Sequence, residues 1–442
     1  MAVVAVIGAQ WGDEGKGKII DELSMRADFV VRYQGGSNDG HRVVYSSGEF
    51  SFHLVPSGIL YPNTTCIIGN GVFVDPKGLL QEIEQLQQQG IDLSRLYISE
   101  RAHVIMPYHF LLDRLEEEAR GSEKMDLSQR GIGPASVDKH ARIGIRMADL
   151  LDVDAFRSKL SIILQQKNRM ITQIYGQPSL SLEEIHGEYF KYGLQLHSHI
   201  RDTQKMLHDA LFDHKTILLE GAQGALLDID FGIHPFVTSS STIAGNAAVG
   251  AGLPPRSIDY VIGVYKAYTT RVGSGPMPTG LFDVMGETIR ERGQEYSPTT
   301  GRERRCGWFD AVAGRFVAQL NGLNAMVVTK LDVLDTFPTI KICTAYNLRG
   351  QTIRSLPAIL SDLAACEPVY EEVKGWQCST TSIHDYDDLP QAAKAYLKRL
   401  EEVLETPIVM ISVSPQRGKT IQIQDVLTSS SNNDRHPGNV MR

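Results

Sequence analysis

No stretch of this 442-residue chain approaches about eighteen uninterrupted apolar residues, so nothing in it reads as a membrane-spanning helix. The opening MAVVAVIG lacks the basic flank and small-residue cleavage site of a secretory signal, which leads us to expect a cytoplasmic protein. Cysteine is scarce: Cys66, Cys306, Cys343, Cys366 and Cys378 contain no C-x-x-C pair, which excludes a zinc knuckle or dithiol redox motif and predicts free thiols. Positive charge is in deficit. With 44 basic residues against 52 acidic, the net charge of −8 argues against a nucleic-acid partner, although a local pocket can still oppose the overall sign and bind small anions. Repeats and Pro/Gly/Ser-rich linkers are also absent. One domain over residues 1–427 is therefore expected, followed by a disordered tail over 428–442, where SSSNN and HPGN supply almost no apolar content.

What the sequence does contain begins with Val3 to Ile7, a short β-branched run ending in Gly8, as suits a buried strand that feeds a glycine loop. A helix is expected from about Gly15. A second should start at Asp75-Pro76, with Leu79, Leu80, Ile83 and Leu86 forming its apolar face. Residues 156–175 and 192–213 also read as helical, and the apolar runs at 216–219, 258–264, 325–329 and 407–413 as core strands. Strands separated by long helical stretches predict an α/β fold: a large, mostly parallel central sheet with helices on both faces.

Residues 8–18, GAQWGDEGKGK, place four glycines, Lys16 and Lys18 between that strand and helix. Glycines let backbone N–H groups turn towards an anion, and the helix N-terminus adds partial positive charge, so the segment reads as a phosphate cradle. It departs from G-x-x-x-x-G-K-[ST], because Gly17 stands where a Mg²⁺-binding hydroxyl is usual. Asp13 is the local carboxylate able to replace it. A solvated glycine turn is the bland alternative. The second nucleotide signature is Thr329-Lys330-Leu331-Asp332, at the end of an apolar run. A carboxylate there can accept from N1–H and the 2-amino group of guanine, a donor pair adenine lacks. A dehydrogenase is excluded by the lysines in the glycine loop and by its lack of dinucleotide spacing.

These segments, with RGIGPA (130–135), EGAQGALLDID (220–230), TTRVGSGPMPT (269–279) and TTGRERRCGWFD (299–310), resemble the adenylosuccinate synthetase family over nearly the whole chain, to about residue 425. The resemblance implies a homodimer and a GTP-driven ligation of aspartate to C6 of IMP, with Mg²⁺ as cofactor. It implies that Asp13 removes the purine N1 proton and touches Mg²⁺ together with the Gly40 carbonyl, and that His41 is an acid facing the γ-phosphate. Lys16 would steady the transferring phosphoryl group and Gln223 would bond near O6. Gly12, Asp13, Glu14, Gly15, Lys16, Gly17, Lys18, Gly40, His41, Arg42, Arg304, Lys330, Leu331, Asp332, Ser412, Val413 and Ser414 would hold GTP. Asn38, Asp39, Gly40, Ser128, Thr238 and Arg302 would join Asp13, Lys16, His41 and Gln223 around IMP, with Arg142 reaching its phosphate from the other subunit. Val272, Pro298, Thr299, Thr300, Gly301, Arg302 and Arg304 would hold aspartate.

Several positions depart from the family pattern. N-A-G-H-T is here Asn38-Asp39-Gly40-His41-Arg42, T-T-G-R is Leu127-Ser128-Gln129-Arg130, Gly280 replaces a glutamate, and S-T-G-P-D-R is Ser412-Val413-Ser414-Pro415-Gln416-Arg417. Asp39 has two readings: an ion pair with Arg42 that leaves IMP as acceptor, or a partner for a 2-amino group that turns the enzyme to GMP or dGMP. A reading of another class, a GTP-binding regulator without catalysis, would not need a base at the purine or an aspartate clamp.

Overall fold

The computed structural model describes residues 2–38, 40–45, 48–121, 128–296 and 301–427, with the backbone alone for 41–45, 48, 49 and 51. The expected tail, Asp39, Leu127, Pro298, Thr299 and Thr300 lie outside the described residues.

A ten-stranded sheet forms the centre. From edge to edge its strands are Thr420–Gln422, Ile408–Ser412, Ala325–Thr329, Tyr260–Lys266, Val3–Gly8, Ile217–Glu220, Phe29–Arg32, Thr65–Ile68, Leu96–Ser99 and Ile200–Arg201. Neighbours pair in parallel except at Thr420–Gln422, which returns antiparallel onto Ile408–Ser412. Val3–Gly8 is buried along its whole length because side chains from both of its faces enter core: Val4 and Val6 one hydrophobic cluster, Val3 and Ala5 another. After that strand the chain builds outward on one side, returns beside it at Ile217–Glu220, and builds outward on the other. The order thus reverses next to Val3–Gly8, and in such sheets ligands bind beyond the carboxyl ends of the strands at the reversal.

The helix expected at Asp75 runs Pro76–Gln88, with Leu79, Ile83 and Leu86 buried. The helix expected over 192–213 is instead broken. Leu182–Leu196 and Thr203–Phe212 are separate helices, because Ile200–Arg201 pairs with Ile98–Ser99 as an edge strand and Asp202 caps the second helix at Lys205 N. Helical periodicity continued through a segment whose backbone bonds go to the sheet. Two smaller sheets were also not anticipated: Thr339–Leu348 with Cys366–Lys374, and the trio Thr269–Arg271, Arg305–Gly307 and Gly280–Leu281. The trio places Arg271 opposite Arg305.

Candidate active site

The carboxyl ends of Val3–Gly8, Ile217–Glu220, Ala325–Thr329 and Ile408–Ser412 each deliver residues to one cavity. After Val3–Gly8 the chain turns through three left-handed residues, Gly12 (φ 83°), Asp13 (φ 59°) and Gly15 (φ 82°), before the helix Lys16–Ser24. Glycine is required at Gly8, where a Cβ would meet Gln223 O at 2.2 Å and Glu14 Oε2 at 2.5 Å. The Glu14 side chain does not line the cavity that Asp13 and Lys16 border. It is fully buried beneath the loop, accepting from Gln10 N at 3.0 Å, Gly12 N at 2.9 Å and Lys16 Nζ at 2.7 Å. Lys18 is similarly engaged: its ammonium donates to Ser412 Oγ, Ser414 O and Lys419 O, each at 2.9 Å, so it ties the cradle to the C-terminal loop. Burial pulls the Lys18 pKa down to about 8, with Glu22 and Asp332 opposing.

Thr329 ends its strand by donating to Glu14 O at 2.6 Å, which joins the guanine motif to the phosphate loop. Lys330 follows in a left-handed conformation (φ 57°) and donates to Gly293 O and Glu295 Oε1, both at 2.7 Å. Arg292 holds the motif from outside through Val333 O at 2.8 Å and Asp332 O at 3.0 Å. Asp332 lines a cavity of about 420 Å³ together with Asp13, Gly15, Lys16, Gly17, Lys18, Gly40, Arg304, Lys330, Ser412 and Ser414, a volume within the range of small-ligand sites. Leu331 and Val413 point their side chains into the core, so only their backbones are available to a nucleotide.

In the lining of this cavity Arg304 Nη2 donates to Asp13 Oδ1 at 2.8 Å. Its other arm, Nη1, donates to the fully buried Glu295 at 2.9 Å. Gln223, itself left-handed (φ 55°), packs its backbone against Gly12 and donates from Nε2 to Asn38 Oδ1 at 3.2 Å. Two amides expected at the purine are therefore in contact, beside the turn that carries Asp13. Thr238 is fixed through its N–H to Leu227 O at 2.8 Å. Arg305 clamps Gly273 O and Gly275 O, both at 2.8 Å, which shapes the loop bearing the half-exposed Val272. Burial, and after it the neighbouring Arg302 charge, lower the Arg305 pKa. Gly301 (φ 66°) and Arg302 begin the described part of the expected aspartate loop. Ser128 and Arg142 are exposed, and this single chain does not bring them to the cavity's lining. His41 and Arg42 open the strand His41–Tyr45 directly after Gly40; their side chains lie outside the described residues.

The donors present suit Mg²⁺. Asp13 is 30% exposed at the cavity, and among the described residues only its Oδ1 is bonded, which leaves Oδ2 for a hard cation. Gly40 lines the same cavity. No cluster of three His, Cys, Asp or Glu is assembled among the described residues, and Mg²⁺ needs none, since it takes one or two protein oxygens with substrate phosphates and water.

Sequence reasoning missed Glu295, Lys266, Arg292 and the wall Gly293–Tyr296. A signal for the first pair was available. Lys266 ends an apolar strand, and a lysine there requires a buried counter-charge.

A glycine-rich turn that opens a helix and a T-K-L-D segment at a strand end line one cavity at the sheet reversal, with an amide pair beside the turn, an arrangement that suits an α/β enzyme using a purine nucleoside triphosphate. The family model of adenylosuccinate synthetase matches residues 5–421. The adenylosuccinate synthetase of Heliobacterium modesticaldum is 54% identical over 423 residues, covering 96% of this chain and 99% of that one. That of Dehalococcoides mccartyi is 50% identical over 421 residues, covering 95% and 100%. A fully ligated adenylosuccinate synthetase structure from Plasmodium falciparum superposes with a TM-score of 0.91 at 36% identity, covering 96% of this chain and 100% of that one. The cyanophage S-2L succinoaminodeoxyadenylate synthetase, bound to dGMP and dATP, shares the fold at a TM-score of 0.61 and 18% identity, with 96% of each chain covered. The chain belongs to the adenylosuccinate synthetase family, and is a GDP-forming carbon–nitrogen ligase.

Proposed function

We propose that the chain joins L-aspartate to C6 of IMP with GTP as phosphoryl donor, and that its residues divide the work as follows. Asp13 accepts the purine N1 proton, which concentrates charge on O6 and makes it a nucleophile. O6 attacks the γ-phosphorus of GTP and GDP leaves. The aspartate amine then adds at C6, loses a proton and expels phosphate, so the poor leaving group of the first step has become a good one in the second. Lys16 and the turned backbone of Gly12 to Gly17 steady the transferring phosphoryl group, and His41 offsets the charge that shifts with it. Mg²⁺, which the family requires, would be held by Asp13 and the Gly40 carbonyl and would neutralise phosphate charge during transfer. Asn38, Gln223 and Thr238 orient the purine, Arg302 grips an aspartate carboxylate, and Asp332 selects guanine. The observation that carries this reading is the place of Asp13, on the turn packed against Gln223 at one end of the guanine cavity and bonded to Arg304.

Arg142 sits exposed on a left-handed turn (φ 65°) after the helix Ile132–His140, and we assign it to the IMP phosphate of a partner subunit in a homodimer. Among the described residues no helix is long and apolar enough to cross a membrane, and we place the activity in the cytoplasm. Phosphate release from GTP should require IMP and aspartate together; release with either alone would count against the scheme. The acceptor is checked by comparing kcat/KM for IMP and dGMP in the wild type and Asp39→Ala. A preference for IMP that survives the substitution is expected, and a wild-type preference for dGMP would instead assign Asp39 to the 2-amino group.

A further inference from the structure

Glu295 follows the helix Val284–Gly293 and has no solvent exposure. Its carboxylate accepts from four side chains: Lys266 at 2.9 Å to each oxygen, Lys330 at 2.7 Å, Arg304 at 2.9 Å, and the Tyr268 hydroxyl. Pairing with Lys266 alone would satisfy the need of a buried strand-end lysine. The two further cations are of a different kind. Lys330 belongs to the guanine motif, and Arg304 spends its second arm on Asp13 Oδ1 at 2.8 Å. A guanidinium is planar and rigid, so fixing Nη1 against Glu295 fixes the direction from which Nη2 meets Asp13. The main chain repeats the link, Arg304 N donating to Glu295 O at 2.9 Å. Burial disfavours the charged form of Glu295, yet Lys266, Lys330 and Arg304 hold its pKa well below the usual carboxylate range.

We propose that Glu295 is a positioning residue of the reaction, which sets Arg304 against Asp13 and Lys330 at the guanine motif so that the donor-binding end and the catalytic carboxylate are held as one unit. The proposal rests on the reading of Asp13 as the base. Its mechanical basis is that a misplacement of about 1 Å at a reacting group can cost about a hundredfold in rate.

The test is Glu295→Gln, which keeps shape while removing charge. Two rates are read per folded molecule: overall turnover, and the IMP-dependent scrambling of oxygen isotope between bridging and non-bridging positions of GTP without aspartate, which reports phosphoryl transfer alone. Both should fall about thirtyfold or more, while KM for IMP and aspartate changes less than about threefold. Because the single change strands the Lys266 charge, Glu295→Gln with Lys266→Met is tested beside it; that pair removes the orphaned cation. Turnover that stays low in the double variant while its Tm returns towards wild type supports positioning, and turnover that recovers with Tm overturns it. Lys330→Met gives an arm that leaves the buried pair intact, its side chain being 28% exposed. A fall in kcat of about tenfold at saturating GTP is expected, and a rise in KM for GTP alone overturns the coupling. No isotope scrambling in the wild type would remove the reading of Asp13 and this inference with it. Scrambling in the wild type that persists above a third in Glu295→Gln removes the inference alone.

Discussion

Asp13 holds a left-handed backbone (φ 59°), a conformation that costs a non-glycine residue about 1–2 kcal/mol, and surrounding contacts must sustain it. They do so from two sides, Arg304 on the carboxylate and Glu14 beneath the loop. Glu14 is the adjacent carboxylate, but its bonds to Gln10 N, Gly12 N and Lys16 leave it unable to replace Asp13. Asp13→Ala should therefore lose at least about a hundredfold in kcat, the low end for loss of a general base, and retention of more than a tenth of wild-type turnover would refute the role. Lys18 gives a pH prediction with a defined sign. Its three acceptors use all three ammonium protons, and burial has lowered its pKa to about 8. As pH rises from 8 to 9.5 the ammonium loses a donor, the Ser412–Lys419 loop loosens, and KM for GTP should climb. Lys18→Arg, which stays charged, should flatten that climb; an identical climb would place its cause elsewhere.

At the scale of the element, the strand Ala325–Thr329 does two things with its last turn. Its Thr329 hydroxyl pins the phosphate loop, and Asp332 faces the cavity with Lys330 and Arg292 anchoring the segment between. On the proposed reading, base selection and phosphate placement are carried by one rigid element. Burial raises the Asp332 pKa, with Lys330 and Lys18 among the groups opposing, and the two donors of a guanine would offset the cost of burying its charge. Asp332→Asn should lower the GTP-over-ATP ratio of kcat/KM about tenfold or more, measured by phosphate release with each nucleotide. An unchanged ratio would transfer selection to the Ser412–Ser414 loop.

For the whole molecule, the topology concentrates the chemistry at one reversal of strand order and leaves Arg142 facing outward. If Arg142 reaches a partner's IMP, ligand and subunit association are linked, since what binds only the dimer stabilises it. Dilution should then lower specific activity, and IMP should restore it. Arg142→Leu should raise KM for IMP about tenfold or more, consistent with loss of a charged hydrogen bond of about 1.5–3 kcal/mol, while Tm stays near wild type. A KM within twofold of wild type would place the IMP phosphate on groups of a single subunit.

The sequence by itself determined the strand, loop and helix of the phosphate site, the guanine motif and the parallel class of sheet. Each of these is a local pattern: an apolar run ending in glycine, a carboxylate after a strand, helices between strands. Tertiary structure alone decided that Glu14 lies under the loop while Asp13 lies in the cavity, although the two are adjacent in sequence, because the left-handed turn sends their side chains apart. It also decided that Lys18 serves the C-terminal loop, and that the helix expected over 192–213 is interrupted by an edge strand. Glu295 stayed illegible for the same reason. Its partners lie 9 to 35 residues away, and only burial in a common recess gives a lone glutamate their charges to balance.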